Sequence, residues 1–134
     1  MYNFHLFVTK KKEIKQMEII QEFNCAYCGA FTDSRHEQYD RLKSRNMCND
    51  CFEKFPILKE EIQLLIGKNM KLLNNSKYSN MFLDELNKIE EGNYDAIRRW
   101  CGELEKFLWT VESTSTAALL CIFDIEELEQ MLPN

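Results

Sequence analysis

Apolar residues recur at three- and four-residue steps over most of the C-terminal part of the chain. Phe52, Phe55, Leu58, Ile62, Leu65, Ile66, Met70 and Leu73 form the first stripe, the pattern of a helix with one face on a core. Pro56 lies within it, either near a first turn or at a break between a short helix and a longer one. Asn74-Asn75-Ser76 ends the stripe, and a second helix is expected from Ser79 or Asn80, with Phe82, Leu86 and Ile89 turned inward. Glu90-Glu91-Gly92-Asn93 supplies the next stop. A third helix carries Ile97, Trp100, Cys101, Leu104, Phe107, Leu108 and Val111 as its apolar band, bordered by Arg98, Arg99, Glu103, Glu105 and Lys106. Trp100 and Trp109 are nine residues apart on it and nearly opposite in wheel angle, so they cannot share one core. Ser113-Thr114-Ser115-Thr116 offers several N-caps for a last helix over Ala117–Met131. Leu119, Leu120, Ile122, Phe123, Ile125, Leu128 and Leu132 give that helix more apolar surface than one stripe needs. It is either centrally packed or docked on a second chain or a partner.

The N-terminal part has a different period. Phe4, Leu6 and Val8 alternate with His5 and Phe7, which predicts a strand over residues 2–8. Residues 10–23 admit two readings, since Ile14, Met17 and Ile20 suit a helix while Met17, Ile19 and Gln21 suit a strand; a short helix or loop changing to strand near Ile19 is favoured.

Four of the six cysteines fall as Cys25-Ala26-Tyr27-Cys28 and Cys48-Asn49-Asp50-Cys51, with nineteen residues between the pairs. Two such pairs match a tetrahedral all-thiolate Zn2+ site, each pair supplying one edge of the tetrahedron. Gly29 suits the turn of a knuckle whose amides point at sulfur, and Cys48 and Cys51 are expected at or inside the start of the first long helix. Four thiolates fill the tetrahedron and leave no position for an activated water, so a hydrolytic centre is not expected. A thioredoxin-like redox pair would leave the second CxxC unexplained, and ligand spacing alone leaves iron open. His36 is not needed as a ligand, and Cys101 and Cys121 read as small buried side chains. The sequence has no Walker glycine loop, HExxH, GxSxG or dinucleotide fingerprint, so no enzymatic activity is expected.

The order of a knuckle pair, a hairpin or loop, then a second pair at a helix start resembles the treble-clef and GATA-type zinc fingers, over residues 23–57. The resemblance implies that Cys25 and Cys28 are the knuckle ligands and Cys48 and Cys51 the helix-borne ones. GATA-type DNA readers usually carry a tryptophan in the intervening loop and a basic tail; here the loop holds Phe31, His36 and Tyr39 and the chain behind it turns acidic. The expected fold class is mainly α, a small N-terminal four-cysteine zinc finger with short strands packed on an antiparallel helical bundle. The segments are residues 1–57, N-terminal segment and finger, and residues 58–134, helical bundle.

Charge refines the functional reading. The formal charge of the 134 residues is −5, which excludes a surface that wraps nucleic acid as a whole. It is graded: residues 1–24 and 25–47 each sum to +1, residues 48–91 to −2 and residues 92–134 to −5. Arg35, Tyr39, Arg41, Lys43 and Arg45 either balance the metal site's charge or form a contact strip for a partner or for nucleic acid. The longest apolar run, Ala117 to Phe123, is seven residues, and the N-terminus does not read as a signal peptide, so an intracellular setting, cytoplasmic or nuclear, is expected, with no membrane. The leading expectation is a zinc-containing regulatory or adaptor protein. It would bind a protein of the transcription or nucleic-acid machinery through the finger loop, Asp33 to Arg45, and an exposed side of the last helices. Direct DNA or RNA binding through that loop is the alternative, a small enzyme braced by zinc a second alternative, and a homodimer through the C-terminal helices a further possibility.

Overall fold

The long helices form where the period of apolar residues is sustained. A computed structural model of the chain describes residues 3–8 and 17–133, and in it the elements run β1 (Asn3–Val8), β2 (Met17–Asn24), β3 (Phe31–Asp33), α1 (Tyr39–Arg45), α2 (Asn49–Met70), α3 (Ser76–Lys88), α4 (Tyr94–Val111) and α5 (Thr116–Met131). The fold is mainly helical with a small antiparallel sheet. It divides into two compact units, the first ending at Glu53 and the second running from Lys54 to Pro133. No helix among the described residues is long and apolar enough to cross a membrane.

In the first unit β2 lies between β1 and β3 and is antiparallel to both. Its register sets Asn3 opposite Glu22 and Val8 opposite Met17 on one side, and Glu22 opposite Asp33 and Asn24 opposite Phe31 on the other. The strand reading of residues 10–23 therefore holds from Met17 onward; the helix alternative over residues 10–16 lies outside the described residues. Ile20 and Phe23 are buried and Ile19 is exposed. The segment expected as a loop, Asp33 to Arg45, is corrected: its second half is the helix α1, which buries Leu42 completely.

α2 passes through Pro56 without interruption, so the break at this residue is not present. Proline removes one i→i−4 hydrogen bond, at a cost of about 3 kcal/mol in a helix interior. Burial of Phe55, Leu58, Ile62, Ile66 and Met70 along the inner face offsets it. Ser79 is not the start of α3, which begins at Ser76; Ser79 is buried, and its hydroxyl donates to the Met70 carbonyl at 2.9 Å. It thus satisfies an end carbonyl of α2, one of the groups a helix terminus leaves open. Asn93 caps α4 by accepting from the Ala96 amide at 3.1 Å, and Ser115 caps α5 by accepting from Ala118 at 3.4 Å.

Within the second unit α4 packs against α3 and α5. Trp100 is buried and its indole N–H donates to the Phe82 carbonyl of α3 at 2.8 Å, whereas Trp109 is 51% exposed, as the wheel angle requires. Tyr94, which the expected apolar band omits, is one of the largest fully buried side chains and meets Phe55 edge-on, with centroids 5.2 Å apart. Val111, placed in that band, is exposed, because α4 ends there and the chain turns away. α5 buries Ala118, Cys121, Ile122, Ile125 and Leu128 on one face and leaves Leu119, Leu120, Phe123 and Met131 on the surface.

Candidate metal centre

The first pair of cysteines lies at the turn of the β2–β3 hairpin. Cys25 follows the last residue of β2, and its amide donates to the Ala30 carbonyl at 2.8 Å while the Gly29 amide donates back to the Cys25 carbonyl at 2.9 Å. Gly29 has φ +78°, a conformation other residues adopt only with strain; a Cβ there would meet nothing within 4 Å, so the backbone angle alone selects glycine. The Tyr27 amide points at Cys25 Sγ, 3.4 Å away.

The second pair is delivered by the end of α1. Asn46 stands in the left-handed region at φ 52°, the Met47 amide donates to the Leu42 carbonyl at 3.0 Å and the Asn46 amide to the Lys43 carbonyl at 3.1 Å. These bonds make a Schellman ending, with Leu42 and Met47 both fully buried. The Asn46 carbonyl then accepts from the Ala26 amide at 2.7 Å. This bond ties the knuckle to the turn two residues before Cys48. Cys48 occupies the N-cap position of α2: its carbonyl accepts from Phe52 at 3.1 Å and its sulfur from the Cys51 amide at 3.5 Å. Cys51 lies in the first helical turn, where the unsatisfied amides favour thiolate.

The result is a cluster of four sulfurs all within 4.8 Å of one another. Cys25 Sγ is 3.8 Å from Cys51 Sγ, and Cys28 Sγ is 3.4 Å from Cys48 Sγ. A tetrahedral ion with metal–sulfur bonds of about 2.3 Å needs sulfurs about 3.8 Å apart. The Cys25–Cys51 edge equals that length, and no edge needs more than about 1 Å of contraction. All four are free thiols, with Cys25, Cys48 and Cys51 buried and Cys28 exposed. Four close cysteines could therefore hold a metal ion.

No family model, curated protein or solved structure matches this chain. The function must be argued from the site.

Protonation at the cluster is uneven. Burial pushes the Cys25 thiol up, but backbone N–H donors from Cys28, Cys48 and Tyr27 outweigh it and bring the group down to about 7. Cys48 and Cys51 are pushed up, first by burial; among the other contributions, the Cys25 charge raises both. Sulfurs this close oppose each other's ionisation, and a cation among them reverses that opposition. Cys101 and Cys121 lie in the second unit, fully buried, each pushed up to about 12 by burial first and by nearby carboxylates second.

The five residues read as a contact strip are distributed among different local partners. Arg35 is held by Asp33, with Nη2 2.7 Å from Oδ2 and Nε 3.2 Å from Oδ1, and this hydrogen bonding holds the Asp33 carboxyl below its ordinary value. Tyr39 and Lys43, four residues apart on one face of α1, both reach Gln21 Oε1, the hydroxyl at 2.6 Å and the ammonium at 3.4 Å. The Tyr39 ring also lies 6.1 Å from that of Phe23, centroid to centroid, so the hydroxyl and the ring are both engaged. Arg41 and Arg45 share another face, and the Arg41 guanidinium sits 4.8 Å over the Phe52 ring, next to Cys51. His36 is not in the cysteine cluster; its Nδ1 accepts from the Gln38 amide at 3.1 Å.

Asn46, absent from the residues expected to build the site, is the one that turns the chain into the second pair. Its signal was available: asparagine is the non-glycine residue best suited to a left-handed helix end, and it stands two positions before Cys48.

Proposed function

We propose that this chain is a zinc-containing, non-enzymatic adaptor or regulatory protein, a finger of treble-clef type followed in the chain by an antiparallel helical bundle, acting inside the cell on a protein of the transcription or nucleic-acid machinery. The observation that carries the reading is the four-sulfur cluster: a Zn2+ ion held by Cys25, Cys28, Cys48 and Cys51 would have every tetrahedral position filled. Bound there, the ion supplies folding free energy to a small unit and offers no open position for substrate. A knuckle at a hairpin turn, followed by a pair at a helix N-terminus, supports the treble-clef assignment. The intervening segment supplies β3 and α1.

A protein partner is favoured over nucleic acid by the same residues. Tyr39, the aromatic best placed in sequence for base stacking, uses its hydroxyl on Gln21 and packs beside Phe23, and Arg35 is paired with Asp33. Arg41, whose guanidinium also lies over the Phe52 ring, and Arg45 share another face of α1 and are the charges whose reversal tests the surface. Affinity capture with the zinc-loaded chain, the zinc-stripped chain and the double variant Arg41→Glu/Arg45→Glu tests this reading. The expected result is a partner retained by the loaded chain and lost by the other two. Capture indifferent to both changes overturns the adaptor role of the finger. Binding of short DNA or RNA probes that weakens steeply with salt transfers the assignment to direct nucleic-acid contact.

A further inference from the structure

α2 and α5 leave between them an open apolar groove of about 450 Å³, lined by Glu61, Leu64 and Leu65 from one helix and Glu127, Leu128 and Met131 from the other. The helices are antiparallel here: Asn69 of α2 donates to Asp124 Oδ2 of α5 at 2.7 Å, and moving back along α2 to Glu61 corresponds to moving forward along α5 to Met131. Leu64 is 72% exposed and Met131 51% exposed, so both helices present apolar surface to water at the groove. Phe123, four residues before Glu127 and 62% exposed, and Ile57, four residues before Glu61, continue this face at opposite ends.

The charges that line the groove have one sign. Glu61 and Glu127 stand on its two walls, and among the described residues neither forms an ion pair. α5 carries Asp124, Glu126, Glu127 and Glu129 and no lysine or arginine. Burial, and after it the charges of Glu105 and Glu126, push the Glu129 carboxyl up, as crowded carboxylates do to one another. Lys68, four residues after Leu64 on α2, lines the adjoining groove facing α3, which shares Leu64 with this one. A second copy of the chain docking here by two-fold symmetry would set the same patch against itself, the Glu61 and Glu127 carboxylates of one copy facing those of the other. A partner with the opposite charge and an apolar stripe is complementary on both counts.

We propose that the α2–α5 groove is a docking site for a basic amphipathic helix, which lays apolar residues at i, i+3 or i+4, and i+7 onto Leu64, Leu65 and Met131 and sets flanking Lys or Arg against Glu61 and Glu127. This deepens the adaptor reading and rests on it, giving the partner's binding segment a chemistry.

The test uses the full zinc-loaded chain and synthetic helical peptides of about 14 residues with leucines at that spacing. One peptide carries flanking lysines, a second flanking glutamates, and a third lysines with the leucines replaced by serine. Calorimetry is expected to show binding of the first alone. Leu64→Ser, an exposed position whose change leaves the fold intact, and Glu61→Lys/Glu127→Lys are each expected to weaken it by about tenfold or more, and the charge-reversed chain is expected to gain the glutamate-flanked peptide. Equal binding of the leucine and serine peptides, or binding unchanged in both variants, overturns the site. So does a concentration-dependent dimer that Leu64→Ser abolishes, since the occupant is then a second copy. Zinc content of the same samples separates the two claims. A zinc-loaded chain that ignores the peptides overturns the groove alone, and a chain that binds no zinc overturns the adaptor reading.

Discussion

Asn46 gives a sharp test of how the fold builds the cysteine cluster. Its left-handed backbone at φ 52° ends α1, aims the chain at Cys48, and presents the carbonyl that receives the Ala26 amide at 2.7 Å. An L residue without the side-chain compensation of asparagine pays roughly 1–2 kcal/mol in that conformation. Alanine should sit near the lower figure, and valine, β-branched, near or above the upper one. Glycine removes the strain and adds unfolded-state entropy, so Asn46→Gly should stay within about 0.5 kcal/mol of the parent. Because the strain is stored in the metal-binding conformation, it should appear in metal affinity: at 1.4 kcal/mol per factor of ten, Asn46→Ala weakens zinc binding about 5-fold and Asn46→Val about 30-fold. Competition against a chromophoric chelator at fixed pH reads these ratios directly. If the valine and glycine variants bind zinc equally, the left-handed turn does not control the approach of the second pair, and the account of how the site is assembled is wrong.

Two other predictions bear on the helical unit. Ser79→Ala removes the second donor to the Met70 carbonyl, which keeps the Leu73 amide at 3.1 Å, and should lower the unfolding free energy by about 1 kcal/mol in a urea titration followed at the tryptophans. Cys101 and Cys121, held at about 12, ionise more readily when unfolded than when folded. Their contribution to stability is complete below the ordinary thiol value near 9 and is lost as pH rises toward 12; replacing both with alanine should flatten that alkaline loss in denaturation curves measured across this range.

The two CxxC pairs were legible because metal ligation fixes spacing in the sequence itself, and the long helices because each repeats its apolar stripe for several turns. α1 was not. Its seven residues, YDRLKSR, hold Leu42 as the only aliphatic position, too little to establish a period. With α1 unread, the arrangement of the basic residues was hidden too. Only a helix separates Arg41 and Arg45 from Tyr39 and Lys43 and brings the latter pair to Gln21. Tyr94 escaped notice because it directly follows the turn at Asn93, where a polar segment was expected, although the first residue of α4 is packed against Phe55. Ser79 misled for a related reason. It stands just ahead of the apolar residues that begin at Phe82 and so reads as a helix start, whereas its hydroxyl serves the end of the preceding helix. The surplus apolar surface of α5 was visible in sequence, but its neighbour across the groove, Leu64, was not, since contact between residues so far apart depends on the packing of the whole unit.

The central claim is a single Zn2+ ion closed in by four thiolates. Native mass spectrometry of the full chain purified without chelator tests it most directly. The account predicts one zinc per chain, lost on acidification together with uptake of protons by the four sulfurs. A metal-free chain carrying a disulfide between Cys25 and Cys28 would contradict it and turn the site toward redox chemistry.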